Sequence, residues 1–294
     1  MRESWSALEL ELPVQLEDEV LAALGSACLG AEYRPSGPGK GQFVAYFPTE
    51  READAAAITV AALLRGEGFE DVVPRIAIKP VEDGRWAERY QAGLRPFAVG
   101  RRFLIEPTTS EADPGERVAI RLVPGGAFGT GEHPTTRLCV RALERHVEPA
   151  SRWTDVGCGS GILAVVAHHC GAAGVLALDI DPEAVRIARE VMRLNGVART
   201  VRVEHGSHDL AGPGAWDGIV ANTGEAYFVE FAAEAVGRLR SGGKLIASGF
   251  QADRRDEVRS PLIRAGLTQV GEDTQEGWCA MVFRREVVPA GEGS

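Results

Sequence analysis

"DVGCGSG", residues 155–161, stands between "RWT" and "ILAVVAHHC". The stretch "RWTDVG" reads as a strand and "GILAVVAHHC" as the helix after it. Gly157 and Gly159 let the backbone turn sharply with no Cβ in the way. Gly161 lets the helix lie close to the sheet. A loop of this kind brings its backbone within van der Waals distance of a ligand. The spacing G-x-G-x-G is one residue shorter than the G-x-G-x-x-G cradle that holds a pyrophosphate. With Asp155 just before it, the shorter turn suits a ligand that carries an ammonium group and no phosphate. Standing alone, the loop also reads as a structural turn.

The next strand supplies the second half of the reading. It ends "LALDID", and Asp179 lies 22 residues after Gly157, where a carboxylate can accept both hydroxyls of a ribose. Asp181, followed by Pro182, suits a helix N-cap with proline in the first helical position. Together the loop and Asp179 indicate a nucleoside without phosphate, S-adenosyl-L-methionine in a class I methyltransferase fold. The strand "WDGIVAN" carries Asn222 to the same edge of the sheet, where its amide can meet an amine N–H or the cofactor. Methyl transfer to an amine needs in-line geometry and an acceptor that has lost its proton. Carbonyl oxygens can orient such an amine, so no His or Glu base is required. Cys158 reads as a small residue in a tight loop, and His168 and His169 as structural or solvated.

Upstream, "GGAFGTGEHPTTRLC" (Gly125–Cys139) precedes the helix "TRLCVRALERHV" and can arch over the cleft. Phe128 can cover an apolar ligand face there. Thr135 and Thr136 fall at the helix start, where hydroxyls cap amides or reach a ligand. His133 with Pro134 reads as a turn-fixing pair rather than a base.

From Arg137 onward strands and helices alternate, through "GVLALDID", "EAVRIAREVMRLNG", "VRVEHGS", "YFVEFAAEAVGRLR", "GKLIASGF", "DEVRSPLIRAG" and a final strand "GWCAMVFRR". That rhythm indicates an α/β, Rossmann-like, mostly parallel sheet covered on both faces, with ligands at the carboxyl ends of its strands. Residues 1–80 have a different rhythm. "SALELELPV", "EDEVLAALGSACL", "AEYRP", "GQFVAYFP", "READAAAITVAALLRGEG" and "VVPRIAIKPV" give β-α-β-β-α-β, the ferredoxin-like α+β pattern, with "SGPGKG" as the tip of its central hairpin. Residues 81–110 read as a linker with a short helix bearing Trp86 and Tyr90, and residues 111–294 as the catalytic domain. The first domain has no glycine loop and no cluster of titratable groups, so it reads as a binding domain.

The chain's 294 residues are 45% hydrophobic and 25% charged, ordinary globular composition for two domains. A net charge of −10 argues against direct nucleic-acid binding, which needs a basic surface, and favours a basic partner or a small molecule. The five scattered cysteines make neither a metal site nor a disulfide framework. With no signal peptide and no membrane span, a cytoplasmic setting is expected.

"AFGTGEHPTTRLC", "DVGCGSGILAV", "LALDIDPEAV", "VAN" and "EGWCAMVFRR" together resemble the PrmA family, bacterial methyltransferases of large-subunit ribosomal protein L11. The resemblance runs from "DGRWAERY" to "FRR" and more loosely over the first domain, and the FGTG-x-H-x-TT segment is its most specific part. It implies cofactor contacts at Thr136, Gly157, Asp179 and Asn222. It also implies a first domain that grips the substrate protein, and methylation of lysine and N-terminal amines. Where the family commonly has Asn followed by Ile or Leu, this chain reads "ANTGEAY", so Thr223, Gly224 and Glu225 change the lip beside the acceptor. The residues leave two other readings open. One is a related methyltransferase for another protein or a small molecule, and the other a noncatalytic nucleoside-binding module for ribosome assembly. The glycine spacing disfavours a nicotinamide dehydrogenase.

Overall fold

The computed structural model describes residues 5–24, 28, 30–37, 39–81, 95–107, 113–123 and 131–286. Phe128, the helix expected around Trp86 and Tyr90, and the C-terminal tail lie outside them. The chain divides into two compact units, the first running to Arg95 and taking in Pro107, the second holding Pro96–Glu106 and the described residues from 113 onward.

The first unit contains β1 (Trp5–Pro13), α1 (Glu17–Leu24), β2 (Gly30–Gly37), β3 (Lys40–Phe47), α2 (Glu50–Gly66) and β4 (Ala77–Val81). Its sheet has the order β2-β3-β1-β4, the ferredoxin-like arrangement, with β1 antiparallel to both neighbours. The strand period of two puts Leu8, Leu10 and Leu12 on one face and Glu9 and Glu11 on the other. The leucines meet Ala53, Ala56, Val60 and Leu64 of α2, which recur at helical spacing, in one apolar core. Each fully buried Leu or Val contributes roughly 1.5–3 kcal/mol relative to an exposed one.

The second unit holds a small sheet of β5 (Phe97–Val99), β6 (Phe103–Pro107) and β7 (Val118–Leu122), followed by α3 (Pro134–His146). Residues 97–107 fall within the stretch read as linker, yet they form the β5–β6 hairpin. Its turn is held from a distance. The Glu144 carboxylate of α3 accepts from the Arg101 amide at 2.9 and 3.1 Å and from the Arg102 amide at 2.9 Å.

Next come β8 (Arg152–Val156), α4 (Ile162–His169), β9 (Gly174–Asp179), α5 (Pro182–Leu194), β10 (Val201–His205), β11 (Trp216–Asn222), α6 (Glu225–Arg238), β12 (Leu239–Gln251), α7 (Arg255–Arg264), β13 (Leu267–Gln275) and β14 (Trp278–Arg285). The seven strands take the order β10-β9-β8-β11-β12-β14-β13. β10 to β12 are parallel, and β14 runs antiparallel to both β12 and β13. The chain builds outward from β8 to β10, then returns to β11 on the other side. The switch point, where ligands bind in such sheets, therefore lies between β8 and β11.

Register assigns the side chains to faces. Val156, Ile219, Ala221, Leu245 and Ala247 pack with Phe228, Ala232 and Val236 of α6 and with Val258 and Leu262 of α7. Asp155 pairs with Ala177 on one side and Val220 on the other, and Asn222 pairs with Ser248. Alternation then puts Asp155, Asp179, Asn222 and Ser248 together on the opposite face.

Candidate active site

The stretch Asp155–Gly161 leaves β8 and enters α4 at the switch point. The Gly157 and Cys158 amides both donate to the Leu178 carbonyl, at 2.8 and 2.9 Å, which ties the loop to β9. Gly157, Gly159 and Gly161 have φ of 68°, 51° and 80°, the left-handed region that favours glycine. Gly161 serves helix–helix rather than helix–sheet packing: a Cβ there would meet Met192 Cε at 2.5 Å and Ala188 Cβ at 3.3 Å, both on α5. That contact corrects the expectation drawn from the loop alone, because the residues that crowd Gly161 lie about 30 positions later in the chain.

Asp155 is only 1% exposed, and neither carboxylate oxygen has a hydrogen-bond partner. Burial pushes its carboxyl up to about 7, and the charge of Asp179 adds to the shift. The Ala164 amide on α4 opposes it without closing a hydrogen bond. A carboxylate in this state is matched by a cationic donor. Asp179, at the end of β9, is more open. Its Oδ2 accepts from the Gly159 amide at 2.8 Å and its Oδ1 from the Asp181 amide at 3.0 Å. Each oxygen keeps a further lone pair for another donor. Asp181 caps α5 through the Glu183 amide at 2.9 Å, with Pro182 in the first turn, as its sequence context indicates. Beside Asp179, Ile180 exposes 74% of its surface, an apolar side chain set outward at the lip.

Asn222 ends β11, and its Oδ1 is buried without a hydrogen-bond partner. Thr136, in the first turn of α3, is buried with its Oγ1 likewise unpartnered. His133 caps that helix: its Nδ1 accepts from the Thr135 amide at 3.2 Å and lies 2.6 Å from Thr135 Oγ1. The imidazole thus fixes the turn. One helical turn beyond Thr136, the fully buried Cys139 thiol is pushed up to about 12 by burial, against a hydrogen bond with Ser248. Burial likewise raises the Cys158 thiol, and the charges of Asp155 and Asp179 add to it. Neither thiol is a nucleophile near neutrality.

Asp155, Gly157, Gly159, Asp179 and Asn222 therefore meet at the carboxyl ends of β8, β9 and β11, with the Thr136 turn of α3 packed on the same side. Phe128 lies outside the described residues. Sequence reasoning missed Ile180 and Ser248. The signal for Ile180 is its place next to Asp179, and for Ser248 the register partner of Asn222. Among the described residues no cluster of His, Cys, Asp or Glu is arranged to hold a metal, and no helix is long and apolar enough to cross a membrane.

Comparison with known proteins gives this edge a family. Residues 23–286 match the family model described as ribosomal protein L11 methyltransferase (PrmA). A ribosomal protein L11 methyltransferase of Symbiobacterium thermophilum is 45% identical over 203 residues, 69% of this chain and 66% of that protein. One of Pelobacter propionicus is 38% identical over 255 residues, 82% of this chain and 81% of that protein. Among solved structures, the ribosomal protein L11 methylase of Lactobacillus delbrueckii subsp. bulgaricus aligns with a TM-score of 0.61 at 30% identity, over 66% of this chain and all of that one. The chain belongs to the ribosomal protein L11 methyltransferase (PrmA) family.

Proposed function

We propose that the edge formed by β8, β9 and β11 binds S-adenosyl-L-methionine and orients a lysine or N-terminal amine of ribosomal protein L11 for methylation. The observation that carries the reading is the buried Asp155 carboxylate without a partner, beside the glycine loop and on one face with Asp179 and Asn222. When bound, S-adenosyl-L-methionine supplies an electrophilic methyl on a sulfonium, open to in-line displacement.

Each residue then has a role its surroundings support. Asp155 takes the ammonium group of the amino-acid end, which supplies the charge its burial lacks. Asp179 uses its spare lone pairs for the two ribose hydroxyls. The side of Ile180 offers an apolar wall to the base. Gly157 and Gly159 keep Cβ atoms out of the ligand's path, and Thr136 adds a hydroxyl from α3.

The acceptor must arrive neutral. A lysine near its usual 10.4 is driven toward the neutral form by desolvation as it enters the cleft. The Asn222 Oδ1 then accepts one amine N–H and turns the nitrogen lone pair toward the methyl. Asn222 carries no charge at any pH, so it orients the amine without removing a proton, and solvent takes the proton released on transfer. The first unit has its own apolar core, and among its described residues the charged side chains lie in surface ion pairs rather than in a cleft, which suits it to holding the protein substrate while successive amines enter. Such tethering raises the effective concentration of each amine without a new contact at the reacting atoms.

The test is transfer of labelled methyl to purified ribosomal protein L11, with the modified amines mapped by mass spectrometry. The same assay on a chain lacking residues 1–80, after its fold is checked by circular dichroism, isolates the first unit. We expect unchanged affinity for S-adenosylhomocysteine and at least about a hundredfold lower methylation of intact protein, within the range of avidity effects. Label entering a small amine equally well with and without the first unit, and never L11, would move the reading to a small-molecule methyltransferase.

A further inference from the structure

The lip just past Asn222 is built into the glycine loop. A Cβ on Gly157 would stand 2.4 Å from the Cγ2 methyl of Thr223 and 3.7 Å from its Cβ. The side chain of Thr223 thus occupies the space that Gly157 leaves open. Thr223 Oγ1 is not among the atoms within 4 Å of that point, so the methyl and not the hydroxyl fills the space over Gly157. On the other side, Gly249 of β12 lies beneath the same peptides. A Cβ there would meet the Gly224 nitrogen at 2.5 Å, the Thr223 nitrogen at 2.9 Å and the Asn222 carbonyl carbon at 3.1 Å. Gly249 has φ of 97° and sits at the register shift between Ser248 and Phe250, a bulge that only glycine accommodates here. Glu225, which opens α6, is ion-paired with Arg254 beyond the end of β12. Asn222–Glu225 is therefore clamped from the β8 loop, from β12 and from the start of α7.

We infer that Thr223 is a positioning residue: its Cγ2 methyl, seated on Gly157, transmits the position of the glycine loop to Asn222 and so sets how the amide oxygen meets the acceptor amine. The inference rests on the reading of Asn222 as the amine-orienting group. Its physical basis is close packing. The Asn222 side-chain oxygen has no partner of its own, so the peptide that carries it is what holds its direction. That peptide touches Gly157 through one methyl group. A loop moved by a ligand must move the methyl, because interiors this dense transmit displacement instead of absorbing it. Only a β-branched residue can fill the space over Gly157 and also keep a second branch outside it.

Two variants separate the methyl from the hydroxyl. Thr223→Val keeps a methyl over Gly157 and loses the hydroxyl, whereas Thr223→Ser keeps the hydroxyl and loses the methyl. At saturating S-adenosyl-L-methionine we expect Thr223→Val to turn over L11 within about twofold of the parent and Thr223→Ser to fall by about tenfold, on the scale of a small misplacement of the reacting groups. S-adenosylhomocysteine affinity should be unchanged in both, and the Thr223→Ser product should shift toward fewer methyl groups per amine. Loss with Thr223→Val and retention with Thr223→Ser would assign the effect to the hydroxyl and overturn the proposal. A second measurement needs no turnover. The side-chain amide resonance of Asn222, tracked by NMR during a titration with S-adenosylhomocysteine, should move in the parent and in Thr223→Val and stay nearly still in Thr223→Ser. Equal shifts in all three proteins would break the coupling. A parent that shifts but never methylates L11 would instead sink the functional reading and leave the coupling standing.

Discussion

The two units treat their polar side chains differently. On the open side of the first sheet, polar side chains are paired: across strands Lys79 meets Glu9 at 2.5 Å, the Tyr46 hydroxyl donates to Glu32 at 3.3 Å and Lys40 pairs with Glu11, while along β2 Arg34 pairs with Glu32. None of that unit's described side chains has a buried polar atom without a partner. In the second unit Asp155, Thr136 and Asn222 each keep one or more such atoms, and all belong to the elements that meet at the switch point. Leaving a buried donor or acceptor unmade costs about 1–3 kcal/mol, and more for a charge. A unit with no small-molecule ligand to enclose eliminates those costs. One that must grip a ligand keeps them where the ligand supplies the missing partner. The rule needs its geometric half, because Glu106 Oε2, Thr154 Oγ1, His168 Nδ1, Trp216 Nε1 and the Tyr227 hydroxyl are also unpartnered without belonging to this group, and Trp216 stands at the opposite, amino end of β11.

The sharpest way to break this contrast is Asn222→Ala. The variant removes an unpartnered oxygen, so the fold should lose little, while turnover on L11 should fall by about a hundredfold. Single-turnover rates at saturating donor decide it. Full recovery at high donor would reduce Asn222 to a cofactor contact and leave amine orientation to another group.

Asp155 allows a test in which stability and binding move in opposite directions. Raising its carboxyl from 3.8 to about 7 corresponds to roughly 4 kcal/mol, an upper bound on what burial of the ionised form opposes. The native carboxyl keeps its proton where the unfolded one has lost it. Stability from this group therefore falls as pH rises from about 4 through about 7. Asp155→Asn should flatten that slope and leave the ligand-free protein more stable at neutral pH. Affinity for S-adenosyl-L-methionine should drop by about ten- to a hundredfold, since a charge-assisted hydrogen bond contributes roughly 1.5–3 kcal/mol. In the parent, binding below about pH 7 should release a proton, measurable by titration calorimetry in buffers of different ionisation enthalpy. Binding with no proton release in the parent, or unchanged affinity in Asp155→Asn, would take Asp155 out of the ammonium site.

The same contrast explains what could be read in the sequence. Strand-end residues are legible, because an apolar run shows where a strand stops and a glycine pattern marks the turn beyond it. Asp155, Asp179 and Asn222 all fall at such ends, and the helix rhythm of α3 to α7 is equally plain. The β5–β6 hairpin is not legible, since its turn depends on Glu144, over 40 residues away. β13, "LTQVGEDTQ", is polar and broken by a register shift between Gln269 and Gly271, so no apolar alternation marks it. The seat of Thr223 on Gly157 joins residues 66 positions apart and has no local signature.

The smallest expected effect lies in the first unit, and it checks the other side of the comparison. Thr49 begins α2 with a reciprocal cap. Its Oγ1 accepts from the Glu52 amide at 3.2 Å and donates to the Glu52 carboxylate at 2.8 Å. Glu50 and Glu52 add negative charge to the amino end of the helix, where the macrodipole favours it. Thr49→Ala removes the hydroxyl and exposes an amide that water can reach, so the expected cost is about 1 kcal/mol. The midpoint of the first unit's unfolding should drop by a few degrees, about what a loss of that size produces in a small domain. Because Thr49 belongs to a unit whose polar groups serve the fold, donor affinity and single-turnover rate at saturating L11 should stay within about twofold of the parent, the size of effect a remote and independent site leaves. Differential scanning calorimetry with and without S-adenosylhomocysteine reads midpoint and ligand response in one experiment, because the ligand raises only the transition of the unit that binds it. A Thr49→Ala protein whose ligand-dependent rise shrinks with its midpoint would show that the cap reaches the cleft, and the division between the unit that encloses the donor and the unit that does not would fail.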